Sequence, residues 1–330
     1  MAITFEQYII AISTTLVCTF GLAFNGIALF LLFRLSDLRN AFGYMCTSHI
    51  ITNFGVIFCF LFWGVPMTLT QSELSAGNIG KAVAGISILF WEVSIYSHVF
   101  VALNRFVAIN MPLKYMSVFG KRTAFTFITA SWILAIAHVL PFFVDGCGIH
   151  YTIDSYLWLY DSSPCSQWIA KWMDFYLSWF WMVFIGFFDI INVIKIVSIW
   201  RGLSTVTVTG QRKRRETIFF AQAFSQNILF AVGNYCFHSA IFWVSDTIAI
   251  YMLTTFFWGA IHGLDGLILI LFNVGMHRKK IVANLNTLFK NNNVQHPWES
   301  IPPPQSPQTL GTTFDSVNVM TFNISSNSLN

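Results

Sequence analysis

The stretch that decides the fold is residues 81–109, KAVAGISILFWEVSIYSHVFVALNRFVAI. It exceeds the roughly 20 helical residues that cross a hydrocarbon core of about 30 Å. Drawn as a helix, it carries apolar residues on every face, which water-soluble helices do not. Its ionisable exceptions are few: Lys81 at the start, Glu92 and His98 within, and Arg105 near the end.

Working outward, six more segments read the same way, at about 8–33, 41–69, 123–144, 172–200, 217–243 and 250–274. The segment at 41–69 is the most interrupted, by Asn53, Gly55 and Pro66, but proline is tolerated in membrane helices when neighbours satisfy the freed carbonyl. The composition agrees. Of 330 residues, 55% are hydrophobic, 17% aromatic and 10% charged, against the roughly 25% charged residues of a soluble domain. This excludes a soluble enzyme, a disordered protein and a nucleic-acid binder. The first segment follows no basic region, and only Glu6 precedes it, so it reads as a retained helix and not as a signal peptide.

Basic residues fix the expected orientation. Sixteen of the 18 Lys and Arg fall on one side, including Arg34, Arg39, Lys114, Lys121, Arg122, the run Arg212–Arg215 and the run Arg278–Lys280. Lys81 and Lys171 alone fall on the other. The expectation is an all-α membrane protein, a seven-transmembrane helix bundle with its N-terminus outside. After the seventh span, Ile281, Leu285, Leu288 and Phe289 recur at helical spacing beside basic residues. They predict a short amphipathic helix on the inner leaflet, in contact with membrane lipid. The domain reading is a receptor-like bundle over 1–290 and a disordered cytoplasmic tail over 291–330, rich in Asn, Ser, Thr and Pro. The Asn323-Ile-Ser325 glycosylation signal then falls on the wrong side of the membrane to be used.

Cys147 and Cys165 are the only cysteines outside the spans. They share the long outer loop at 145–171, and an oxidising exterior predicts a disulfide between them. It would contribute on the order of 3 kcal/mol.

The end of the 81–109 stretch carries a family resemblance. Leu103-Asn104-Arg105-Phe106 is followed by Met111-Pro112-Leu113-Lys114-Tyr115. This is similar to the Asp/Glu-Arg-Tyr stretch of rhodopsin-like G-protein-coupled receptors, and its Asn-Arg-Phe form resembles the nematode serpentine receptors, class X above all. Gly21 with Asn25, Ser48 with Asn53-Phe54-Gly55, and Asp145-Gly146-Cys147 also resemble that class. The resemblance implies a G-protein-coupled chemoreceptor, with no enzyme activity and no cofactor. Its implied partners are an external odorant- or pheromone-like small molecule, a heterotrimeric G protein, and an arrestin or kinase at the tail. Its implied location is the plasma membrane, down to the cilia of sensory neurons. Asn104, Arg105, Phe106 and Pro112 become the G-protein coupling residues. Asn104 stands where the family has an acid, so the usual intrahelical ion pair is missing.

Helix 7 departs from the family's Asn-Pro-x-x-Tyr stretch, with Asp265-Gly266-Leu267-Ile268-Leu269 in its place. Asn53 occupies the family's helix 2 Asp position, so the two side chains look exchanged. A mutual hydrogen bond between Asn53 and Asp265 is the economical expectation. A sodium site and a neutral, protonated Asp265 are the competing readings. Gly266 would permit a bend.

For a ligand pocket, the membrane carboxylate Glu92 is the leading candidate, with Tyr96, His238 and Trp243, and Phe90, Trp91 and His98 as further possibilities. A bundle hydrogen bond without ligand is the competing reading of Glu92. Asp189 and Asn192 share a face at i and i+3 and should contact helix 3 or helix 6. No metal-spaced His or Asp motif is present, so no metal is expected. A multi-pass transporter or channel using intramembrane carboxylates is the alternative function.

Overall fold

The computed structural model describes residues 3–144, 146–202 and 210–292, with side chains to Val274. Helix α1 spans Phe5–Arg34 and α2 Ala41–Thr70. Helix α3 spans Asn78–Asn110 and α4 Lys121–Phe143. Helix α5 spans Pro164–Trp200 and α6 Gly210–His238. Helix α7 begins at Thr247–Tyr251, widens to π geometry over Met252–Phe256 and continues through Phe257–Asn292. The bundle is the unit Met1–Ile281, and Val282–Asn330 is a separate unit. Backbone is helical to Asn292, covering the expected amphipathic helix, whose side chains lie outside the described residues. The expected tail lies outside them from residue 293, and so does Asp145.

Among the described residues, six of the seven helices are long and apolar enough to cross a membrane. Helix α6 has the length, but its first turns carry the Arg212–Arg215 run and Glu216. Helix α3 is the axle: 72% of its apolar window is enclosed, against 17% for α5. Helix α5 instead exposes Val183, Phe187, Ile190 and Ile194. These four recur along one face at helical spacing, and so wide an apolar surface suits lipid.

Local chemistry sets the ends and irregularities. Thr4 and Gln7 form a reciprocal cap on α1, with Gln7 N donating to Thr4 Oγ1 at 3.2 Å and Thr4 N to Gln7 Oε1 at 2.8 Å. Asn40 Oδ1 caps α2 by accepting from Gly43 N at 3.1 Å. Pro66 lacks an N–H, and its ring crowds the carbonyl one turn back. Helix α2 accommodates it by widening over Phe60–Gly64. Helix α5 starts at Pro164, earlier than the expected 172, because Ser163 Oγ accepts from Ser166 N at 3.1 Å and proline suits the first turn.

Helix α7 runs through Gly266 without a break. The glycine serves proximity. A Cβ there would lie 2.8 Å from Asn25 N, and one on Gly263 would lie 3.0 Å from Gly21 Cα. Bare backbones let α1 and α7 meet.

Candidate functional site

The long loop after α4 folds into a hairpin, β1 (Ile149–Thr152) against β2 (Leu157–Tyr160), antiparallel with Ile149 opposite Tyr160. Its turn holds Tyr156 at φ 58°, fixed in part by Thr255 Oγ1 donating to the Tyr156 carbonyl at 2.7 Å. The hairpin sits in the mouth of the bundle. Trp158 is 1% exposed and stacks on Phe60 of α2, with ring centroids 5.4 Å apart. Tyr151 exchanges a hydrogen bond with the Thr68 hydroxyl at 2.8 Å, and Ser75 Oγ donates to its carbonyl. The expected Cys147–Cys165 disulfide is formed, with Cα atoms 5.2 Å apart, and ties the hairpin to the start of α5. Asp161 accepts from Lys81 Nζ at 2.6 Å and pairs with His150 Nδ1 at 2.8 Å. Burial raises the Asp161 carboxyl, but the hydrogen bonds and charges of Lys81 and His150 outweigh it and hold its pKa below the ordinary value.

Beneath the hairpin lies a tight cavity of about 20 Å³, closed down to roughly the room one water needs. Trp91 and Trp258 give it apolar walls, Tyr160 borders it from β2, and Asp174 and His238 supply its ionisable groups. Asp174 Oδ1 is 3.7 Å from His238 Nε2, and both side chains are less than 10% exposed. Its lining, apolar walls with one acid–imidazole pair, has the chemistry of small-molecule sites in general, while its size is far below theirs.

Two of the expected pocket residues are found there, Trp91 and His238. Glu92 is not. It turns to α4, where its Oε2 is 3.4 Å from His138 Nδ1. Residues 91 and 92 are about 100° apart on a helix, so the tryptophan and the carboxylate cannot share a face. Tyr96 packs on Trp181 of α5, with centroids 6.0 Å apart. Trp243 is 76% exposed, beyond the end of α6. Asp174 was passed over because it lies where the sequence reads as the boundary of the fifth span.

At the other end of α3, Arg105 is 1% exposed. Its Nη1 donates to Glu216 Oε2 of α6 at 3.2 Å. Its Nε donates to Asn104 Oδ1 at 3.2 Å, and its Nη2 also reaches that oxygen. Its guanidinium lies over Phe42 at 4.2 Å and Phe219 at 5.5 Å. Asn104 thus keeps the acceptor that its acidic counterpart would supply, and the charge comes from α6. Glu216 could have been noticed as the one acid directly after four basic residues. Phe106 packs edge-on against Phe188 of α5, and the Pro112 carbonyl accepts from Arg212 Nη2 at 3.1 Å. Lys213 Nζ donates to the Ile199 carbonyl at 3.1 Å and lies over Trp200. Pro112, Ile199, Arg212 and Glu216 line a second, narrow cleft of about 30 Å³.

Between these ends lies a buried polar layer. The expected Asn53–Asp265 bond is not made. Asn53 Nδ2 donates to Asn25 Oδ1 at 3.1 Å, and its Oδ1 pairs with His262 Nδ1 at 2.7 Å. Asp265 Oδ2 instead pairs with His49 Nε2 at 2.8 Å. His49 lies one turn before Asn53 on α2, so the same face of that helix supplies the carboxylate with a ring nitrogen and Asn53 meets Asn25 and His262. Asn227 Nδ2 donates to Asp189 Oδ2 at 2.7 Å, and Asn110 Nδ2 to Asn192 Oδ1 at 2.9 Å. The α5 polar pair thus reaches both α6 and α3, as expected.

The family profile described as "Serpentine type 7TM GPCR chemoreceptor Srx" matches residues 15–273. The chain belongs to that family. Serpentine receptor class X 45 of Caenorhabditis elegans is 28% identical over 276 residues, covering 77% of this chain and 75% of its own. The Srx match runs from α1 into α7 and takes in both clefts and the polar layer between them. The protein is therefore a multi-pass membrane receptor.

Proposed function

We propose that this receptor detects an external, mostly apolar small molecule, odorant- or pheromone-like, and signals through a heterotrimeric G protein at the plasma membrane of a sensory cell. The hairpin end faces outside and the basic end faces the cytoplasm, in keeping with the lysine and arginine bias. The ligand enters between Trp91, Trp258, Asp174 and His238 and parts the side chains that close the cavity there. The observation that carries the reading is the Arg105–Glu216 bond between α3 and α6. It ties the two helices beside a cleft lined by the same acid. Trp91 of the chamber and Arg105 are about 21 Å apart along α3, so one helix connects the chamber to the bond. A ligand that favours an arrangement with the bond broken shifts the population of that arrangement. Asn104, Arg105, Phe106 and Pro112 then meet the G protein, and a kinase or arrestin acts at the tail.

The test is agonist-stimulated nucleotide exchange on a co-expressed Gα, with a panel of volatile and pheromone-like compounds and surface labelling in parallel. Arg105→Ala should reduce evoked exchange by more than tenfold while surface expression stays within twofold. Full exchange in that variant, or substrate flux without any G protein, would overturn the coupling and favour transport.

A further inference from the structure

We propose that His49, His98 and Asp265 form a site for one divalent transition-metal ion, with zinc the best match, that ties α2, α3 and α7 together in the bundle's interior. The three residues offer ligand atoms that all lie within 4.8 Å of one another, and all three are buried. Three atoms so placed sit within about 2.8 Å of a common centre, and small side-chain adjustments close that to zinc bonds of about 2.1 Å.

The hydrogen bonds around the cluster prepare these atoms to bind. His98 Nδ1 lies 2.9 Å from Asn227 Oδ1, an acceptor, so the proton sits on Nδ1. That leaves the lone pair on Nε2, which is buried and has no hydrogen-bond partner. Asp265 Oδ1 is likewise buried and unpartnered, while its Oδ2 faces His49 Nε2 at 2.8 Å. His49 Nδ1 is engaged by the Ser94 hydroxyl at 3.3 Å, which orients the ring from behind. Ligating imidazoles are held in this way, with the second ring nitrogen fixed by a neighbour. Two unsatisfied buried polar atoms are costly without a partner, and a cation between them would satisfy both.

The donor set selects the ion. Two imidazoles and one carboxylate suit zinc and other first-row transition metals, whereas sodium, magnesium and calcium prefer oxygen shells. The three ligands come from positions 49, 98 and 265. No local motif carries them, and only the packing of three helices brings them together. The inference concerns the bundle itself and holds whatever the odorant is.

The experiment uses full-length receptor purified in detergent, stripped with EDTA, then equilibrated with zinc chloride and desalted. Metal content and thermal unfolding are read together. The expected result is one zinc per chain and a raised unfolding midpoint that EDTA reverses. His98→Gln should lower the zinc affinity at least about tenfold, with its metal-free midpoint close to that of the unaltered receptor. If His98→Gln does not fold, the unaltered receptor decides alone, by EDTA reversal and by comparing zinc with sodium. Failure to retain zinc would overturn the proposal, and so would equal retention by His98→Gln. Stabilisation by sodium over choline in the absence of any zinc effect would also overturn it.

Discussion

The two ends of α3 are built on different principles. At the hairpin end, the Cys147–Cys165 disulfide, a plugged Trp158 and the Lys81–Asp161–His150 cluster act together. At the basic end, α3 and α6 are joined through Arg105 and Glu216, supported by ring contacts that need no fixed geometry. The first end combines covalent and multiply redundant bonds, which keep a chamber in shape. The second relies on the Arg105–Glu216 ion pair and the Arg212–Pro112 hydrogen bond, which can be exchanged for a partner's groups. The proposed function makes use of this asymmetry, since holding a ligand and switching a coupling surface are different mechanical tasks.

Breaking the covalent tie should have the largest effect on this contrast. Cys147→Ser should cost on the order of 3 kcal/mol for a closed loop with sequence separation 18. Thermal unfolding and surface labelling should both register the loss, and non-reducing peptide mapping should find Cys165 free in the variant. At the other end, Glu216→Gln should act on signalling and leave folding nearly intact. Losing a charge-assisted hydrogen bond to Arg105 costs the closed arrangement about 1.5–3 kcal/mol. Ligand-free nucleotide exchange should then rise by about tenfold, and an unchanged basal rate would erase the distinction between the two ends.

The smallest effect belongs to Asp161. Its carboxyl has a folded pKa below its unfolded value, so the linked stability is fully present above the unfolded pKa of about 3.9. That stability is lost as pH falls through the lower, folded value. Asp161→Asn should therefore reduce stability by under about 1 kcal/mol at pH 7, as partly exposed ion pairs do. The difference from the unaltered receptor should shrink as pH falls below that window. A gap that stays constant down to low pH would mean that the residue packs the hairpin without holding it by charge.

Much of this architecture was legible from residue order. Runs of apolar residues located the helices, because the cost of unsatisfied backbone in lipid leaves helix as the stable choice. But α5 begins eight residues before the expected 172, and α6, Gly210–His238, runs ahead of the expected 217–243. Pairing two cysteines in one loop needed only the list of cysteines outside those spans. The Arg105 stretch carried the family resemblance because its residues are contiguous. The hairpin was not legible, since Ile149–Tyr160 is short and gains its stability from Phe60, Thr68 and Thr255 elsewhere in the chain.

The sequence by itself thus determined a membrane bundle, its disulfide and the end at which Arg105 lies, because each follows from local hydrophobicity or from neighbours in the chain. Only the tertiary structure decided the partners of its buried charges. Glu92 went to His138, Asp265 to His49, Arg105 to Glu216, and Asp174 to the chamber with His238. A helix's own sequence says that a carboxylate must turn inward. It does not say which helix it will meet, because that depends on a rotation of about 100° per residue and on the close contacts that glycines such as Gly263 and Gly266 allow.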